Sequence, residues 1–188
     1  MITPILPGMT RSDRRRWRSA RSITELGELM ALWLEGRTGS WPGYQPRCGP
    51  DEETLPWTGV LAAVNRAGYL TIGSQPGFSN ENFDGKAWKQ RAAVEGFIAD
   101  HALLLALTDA AAKAGIDVRL HSLLDTWGSS TITVTTRVGV PNTEFGTPLS
   151  IGDLRFMRRG CAPEAVDAIA EANYVTITDR EYGPHARF

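Results

Sequence analysis

Apolar residues at Ile23, Leu26, Met30, Trp33 and Leu34 recur three and four positions apart, the spacing of a helix that buries one face. Ser22 and Glu25 mark its start as a capping box: the Ser22 hydroxyl serves the Glu25 amide, and the Glu25 side chain reaches back to the cap. Gly36 offers the stop. Upstream, residues 12–21 carry Arg14, Arg15, Arg16, Arg18 and Arg21 against one acid, Asp13. This run reads as a helix with a solvated basic face and Trp17 turned inward; the competing reading is a phosphate-binding stripe. Residues 37–50 hold three prolines and three glycines and read as a loop.

A second start follows at Thr54-Leu55-Pro56, with Thr54 as cap and Pro56 in the first turn. Leu61, Val64 and the exit Asn65–Gly68 complete that helix. Tyr69–Ser74 alternates as a strand, and Gln75-Pro76-Gly77 ends it as a turn. Residues 78–87 read as polar loop, and 90–98 fit either period. Asp100 caps a helix over His101–Ala114, stopped by Gly115. Ile116–Leu124 and Thr131–Arg137 read as strands. The latter sets Thr131, Thr133 and Thr135 on one face and Ile132, Val134 and Thr136 on the other. Gly139–Pro148 reads as loop, Pro163 opens a helix to about Ala172, and Tyr174–Thr178 is a last strand. Helices and strands mix with no linker or repeat between them. The expectation is an α+β fold: one domain over 12–188, preceded by an arm at 1–11.

Composition narrows the chemistry. A 188-residue chain with 42% hydrophobic and 22% charged residues buries roughly 70% of its unfolded surface and needs no disulfide or metal to fold. A net charge of −1 offers no strong field to a nucleic acid or an anionic membrane, so neither is expected as a partner. Apolar runs fall far short of the ~18 residues of a spanning helix. Two cysteines, Cys48 and Cys161, and a start without a basic, then apolar leader point to a cytoplasmic address. His101, His121 and His185 have no ligand-spaced partner, so no metal is expected. His121 reads as a packed, hydrogen-bonded strand residue. No nucleophile elbow or Walker A sequence is present. Glu52, Glu53 and Asp84 are the acid/base candidates, although acids near helix starts usually serve the dipole.

The most specific stretch runs from Asn65 to Pro76: Asn-Arg-Ala-Gly-Tyr-Leu-Thr-Ile-Gly-Ser-Gln-Pro. Thr71 and Ser74 present hydroxyls near a strand end, with Glu53-Thr54 at the preceding helix start. Hydroxyls opposite an acid make a small polar pocket. Thr71 and Ser74 are an odd number of positions apart, so both line one site only if Ser74 already lies in the turn. Otherwise the hydroxyls satisfy local backbone.

This stretch resembles the C-terminal regulatory domain of eukaryotic methylenetetrahydrofolate reductase, which carries Asn-Arg-x-Gly, an aliphatic pair, then Thr-Ile-x-Ser-Gln-Pro. An upstream Glu-Thr pair of that domain falls without a gap on Glu53-Thr54. Weaker similarity covers much of 17–180, including Trp17–Gly36, Gln90–Ser122, Pro148–Phe156 and Asn173–Asp179. The resemblance implies mixed or antiparallel strands in two adjacent sheets flanked by helices. It also implies S-adenosylmethionine or S-adenosylhomocysteine as ligand, and a homodimer or another protein partner. The ligand-binding positions it implies are Glu53, Thr54, Thr71, Ser74 and Thr136. A further threonine of the family pocket falls on Leu149, and Gly73 stands where an asparagine is usual. A flavin-binding barrel takes ~250 residues. The implied activity is therefore that of a stand-alone sensor-like module, without reductase chemistry. Two other readings stay open: a protein-interaction or structural module that kept the fold and lost the ligand, and a small enzyme acting on an adenosyl or nucleoside substrate through Glu53, Asp84 and His121.

Overall fold

The computed structural model describes residues 8–44, 46–81, 85–121 and 131–184. Its helices are α1 (Arg11–Ser19), α2 (Ile23–Leu34), α3 (Thr58–Arg66), α4 (His101–Ala114), α5 (Ile151–Met157) and α6 (Pro163–Ala170). Its strands are β1 (Tyr69–Gln75), β2 (Phe78–Glu81), β3 (Ala87–Gln90), β4 (Ala93–Ile98), β5 (Asp117–His121), β6 (Ile132–Arg137), β7 (Val140–Phe145) and β8 (Asn173–Thr178). The strands form two antiparallel four-stranded sheets, ordered β1-β4-β8-β5 and β2-β3-β6-β7, so the fold is α+β. Contacts group the chain into two units: Met1–Leu70 with Ile151–Glu171, and Thr71–Ser150 with Ala172–Phe188.

The first unit is helical. α2 lies at its centre, in contact with α1, α3 and α6. Its buried residues Ile23, Leu26, Met30, Trp33 and Leu34 are the periodic set of the sequence. Ser22 caps α2 by accepting from the Glu25 amide. The Glu25 carboxylate accepts from the Arg21 amide (2.6 Å), one residue before the expected partner. Gly36, with φ +72°, takes the left-handed conformation that follows many helix ends. In α1, Trp17 is fully buried and its indole N–H donates to the Ser40 carbonyl (2.8 Å); the arginines of that helix are exposed. α2 and α3 cross closely at Gly27, where a Cβ would stand 2.3 Å from the Asn65 carbonyl oxygen. Asn65 is fully buried and its Nδ2 donates to the Leu61 carbonyl (2.8 Å). Arg66 donates to Glu28 on α2 (2.9 Å) and to Glu35 at its C-terminal end (2.6 and 2.9 Å).

Two helical expectations change. The chain enters α3 through a 3₁₀ turn at Leu55–Trp57, and Thr54 makes no capping bond. The proline at the second position of that turn suits the tighter helix. The sequence does not announce α5; its seven residues include one buried side chain, Leu154, too few for a periodic signal.

The second unit holds both sheets and α4. Asp100 caps α4 through the Ala102 and Leu103 amides, and Gly115 closes it at φ +74°. β8 is central in its sheet: Val94 pairs with Ile177 and Gly96 with Val175 on one side, Val118 with Ile177 and Leu120 with Val175 on the other. In the second sheet, β2 and β3 replace the polar loop expected at 78–87. Their residues are largely exposed, so no apolar alternation announces them. β7 likewise replaces a loop. It joins β6 through a two-residue turn, Val138-Gly139, with both φ values positive (53° and 76°), where an Asn-Gly pair is the usual signal. β6 departs from strict alternation. Its pairing with β7 shifts between Thr133 and Thr135 and again between Thr135 and Thr136, and Val134 and Thr135 are both buried. Such a bulge turns consecutive side chains the same way. Ala93, Val134 and Phe145 form a core cluster with Ile132 against it.

Candidate functional site

Glu53 and Thr54 lie in the turn before the 3₁₀ segment of the helical unit. Glu53 is exposed, and Thr54 is half-buried. Partial loss of water, and then the Asp51 carboxylate, push the Glu53 carboxyl above its usual range. The other three expected positions belong to the sheet unit. Thr71 is buried in β1. Ser74 is half-buried, still inside β1 rather than in a turn, so in a regular strand it faces away from Thr71. The condition under which both hydroxyls line one site is not met. The strand runs on because Gln75 has a further task. Its Nε2 donates to the carbonyls of Arg91 (2.9 Å) and Val134 (3.0 Å), and its Oε1 accepts from Thr135 Oγ1 (3.0 Å). These bonds tie the end of β1 that carries Ser74 to the part of β6 that carries Thr136. Thr136 is half-buried and pairs with Lys89 and Pro141. Among the described residues, the Ser74 and Thr136 hydroxyls accept and donate no hydrogen bond to protein.

A polar cluster that the sequence did not announce covers one face of the first sheet. Glu95 on β4 lies opposite Thr176 on β8, and Phe97 opposite Tyr174; on the far side of β8, His121 on β5 lies opposite Tyr174. Two diagonal bonds cross this face. Tyr174 Oη donates to Glu95 Oε2 (2.5 Å), and His121 Nε2 bonds Thr176 Oγ1 (2.8 Å). The Gly146 amide, just after β7, also donates to Glu95 Oε2 (2.9 Å). Burial pushes the Glu95 carboxyl up, and the Tyr174 and Gly146 donors pull it back. Gly146 lies so close to His121 that a Cβ would stand 2.0 Å from the ring. Gly73 on β1 lies against the same carboxylate: a Cβ there would be 3.0 Å from Glu95 Oε1. His121 is therefore the packed, hydrogen-bonded residue expected of it. A lone Glu95 inside an apolar strand was the available sign of this cluster. No sequence pattern pairs it with Tyr174, 79 residues away.

This cluster can hold a proton and fix geometry, but it presents no nucleophile. Among the described residues, no group of three His, Cys, Asp or Glu side chains could hold a metal ion. Cys48 and Cys161 are free thiols. Asp84 and His185 lie outside the described residues. No described helix is long and apolar enough to cross a membrane.

The family model described as Domain of unknown function (DUF6919) matches residues 12–188. The chain belongs to this family. The DUF6919 match begins inside α1 and takes in every later element of both units. No curated protein matches the chain.

Proposed function

We propose that this DUF6919 chain is a ligand-binding module for an adenosyl metabolite, S-adenosylmethionine or S-adenosylhomocysteine, acting as a sensor without reductase chemistry. The observation that carries the reading is the state of two hydroxyls. Among the described residues Ser74 and Thr136 are half-buried without a protein hydrogen bond, and they lie on strands that Gln75 fastens together. Polar groups left unpaired at half-buried positions are the usual means by which a site orients a small molecule. The resemblance of Asn65–Pro76 to a regulatory domain that takes this ligand supplies its identity. In this reading Ser74 and Thr136 hold polar atoms of the ligand, each bond contributing about 1 kcal/mol. Thr71, buried on the opposite face of β1, shapes the strand. Glu53 and Thr54 belong to the helical unit.

Titration calorimetry of the full chain with each metabolite tests this. Binding that weakens by about fivefold in Ser74→Ala and in Thr136→Val supports it. Heat signals absent for both metabolites at millimolar concentration would reject the proposal.

One observation favours a second reading, an interaction module that kept the fold without the ligand. Asn65, Arg66 and Gln75, three of the residues that carry the resemblance, already hold the framework together, and Leu149 stands where a pocket hydroxyl would be. Stable self-association or capture of a partner, with no metabolite response, is the outcome this reading expects.

A further inference from the structure

The helical unit contains a cavity of about 330 Å³ whose wall includes Arg14, Trp17, Arg18, Trp41, Tyr44 and Arg159. Three of these are exposed arginines, and none of the three pairs with an acid among the described residues. The remainder are aromatic. Trp41 and Tyr44 stack with ring centroids 5.9 Å apart and an interplanar angle of 18°.

Two facts about the inner wall set it apart. The indole N–H groups of Trp17 and Trp33 donate to the carbonyls of Ser40 (2.8 Å) and Cys48 (3.0 Å). The Trp41 Nε1 is also buried and has no acceptor among the described residues. Against the Trp41 ring lies Arg158, its guanidinium carbon 5.5 Å from the ring centroid. Arg158 is 2% exposed, and neither Nη1 nor Nη2 has a partner among the described residues. The next two residues, Arg159 and Gly160, line the cavity. Burial without a counter-charge pulls the Arg158 guanidinium down to about 10, with Cys161 its one charge-stabilising neighbour. A buried arginine is normally paired, and buried donors normally find acceptors. Here three unsatisfied donor atoms from two touching side chains occur together, beside a cavity ringed by positive charge.

We propose that this cavity binds an oxyanion carried on a flat aromatic body. The ring of such a ligand lies against the half-buried Trp41 and Tyr44 pair. Its anionic group pairs with the exposed Arg14, Arg18 and Arg159 that line the cavity, and its charge offsets that of Arg158 behind the Trp41 ring. Charge-assisted bonds in a water-poor site are the strong ones, and arginine is the side chain that matches planar oxyanions. A carboxylate and a phosphate monoester share this chemistry. The site lies wholly within the helical unit and does not depend on the adenosyl reading, whose hydroxyls belong to the sheet unit.

The test uses the full chain and four probes in titration calorimetry: adenosine 5′-monophosphate, indole-3-acetate, inorganic phosphate and adenosine. The expected result is binding of at least one of the first two, about tenfold or more tighter than either half-ligand. Arg158→Gln and Trp41→Phe should each weaken that binding by about tenfold. Arg14→Gln, at an exposed position, should reduce it in a salt-dependent way without disturbing the fold, so the proposal stays testable if Arg158→Gln does not fold. The response to S-adenosylmethionine should be the same in all three variants, which separates failure here from failure of the adenosyl proposal. The monophosphate winning over the acetate identifies a phosphate ligand, and the reverse a carboxylate. Absence of binding by both complete anions overturns the proposal, as does binding indifferent to Trp41→Phe and Arg14→Gln.

Discussion

Replacing Gly27 with alanine sets two effects of opposite sign against each other, and the structure decides between them. Gly27 sits inside α2. On an isolated helix, alanine in place of glycine stabilises by about 1 kcal/mol. The added Cβ, however, would lie 2.3 Å from the Asn65 carbonyl oxygen and 3.2 Å from its carbon. Both atoms are backbone on α3, so no side chain can swing aside; the helices must separate by about an ångström. Overpacking of this kind costs about 1–3 kcal/mol, and a backbone obstacle belongs at the upper end. The net expectation is a loss of about 2 kcal/mol, or about 4–8 °C in melting temperature for a chain of this length. Gly59 in α3 is the control. A Cβ added there would meet no atom within 4 Å, and its φ is ordinary for a helix, so Gly59→Ala should stabilise by up to about 1 kcal/mol. Urea unfolding followed by tryptophan fluorescence reads the right part of the molecule, because Trp17, Trp33, Trp41 and Trp57 lie in the helical unit, against Trp88 among the described residues outside it. A Gly27→Ala protein as stable as the parent, or one that moves in the same direction as Gly59→Ala, would refute the close-crossing argument.

Three further outcomes follow from the sheet unit. Gly146→Ala combines a φ of +79° with a Cβ 2.0 Å from the His121 ring; left-handed backbone alone costs about 1–2 kcal/mol, so circular dichroism in urea should show a loss beyond that. Glu95→Gln should remove a pH slope. Burial raises the native Glu95 pKa above its ordinary 4.5, so over the pH range just above 4.5 the native state keeps a proton that the unfolded chain has released, and stability falls as pH rises. Urea midpoints of parent and variant measured between acid and neutral pH should diverge in favour of the glutamine form; parallel curves would contradict the assignment. Val138→Asn relieves a β-branched residue at φ +53° in an exposed turn and should raise the melting temperature, with a gain of about 1 kcal/mol.

The helices were readable where the sequence carried both periodicity and caps. α2 and α4 have an acceptor side chain at the start, Ser22 and Asp100, and a left-handed glycine after the end, Gly36 and Gly115. These are local signals, and local structure obeys them. β1, β6 and β8 were readable because each sets buried side chains in a short aliphatic or β-branched run, whereas in β5 only His121 is buried. What escaped notice depends on partners distant in sequence. β2 and β3 are exposed strands whose identity lies in mutual pairing. β7 contains Pro141 and Asn142, residues that read as loop, yet Pro141 pairs across from Thr136 at a register shift, where a missing amide is tolerated. The Glu95–Tyr174 and His121–Thr176 bonds span 79 and 55 residues, beyond any pattern along the chain.

The same distinction bears on the function. Asn65 is spent on the close helix crossing, Arg66 on the carboxylates of Glu28 and Glu35, Gly68 on a φ of +107°, and Gln75 on three bonds to neighbouring strands. A chain that needs this framework needs these residues whether or not it binds anything. Their presence therefore speaks for the fold more than for the ligand. Ser74 and Thr136 differ: alanine at the first and valine at the second would leave the framework intact, since neither hydroxyl has a protein partner among the described residues. Thr71 is buried and Gly73 abuts Glu95, so those two answer to packing. The weight of the adenosyl reading thus falls on one hydroxyl of the motif, Ser74, together with Thr136 on β6. If both can be removed with no change in metabolite binding, the likeness between the sequences reflects a shared scaffold, and the unpaired Arg158 and Trp41 donors become the stronger sign of what the protein recognises.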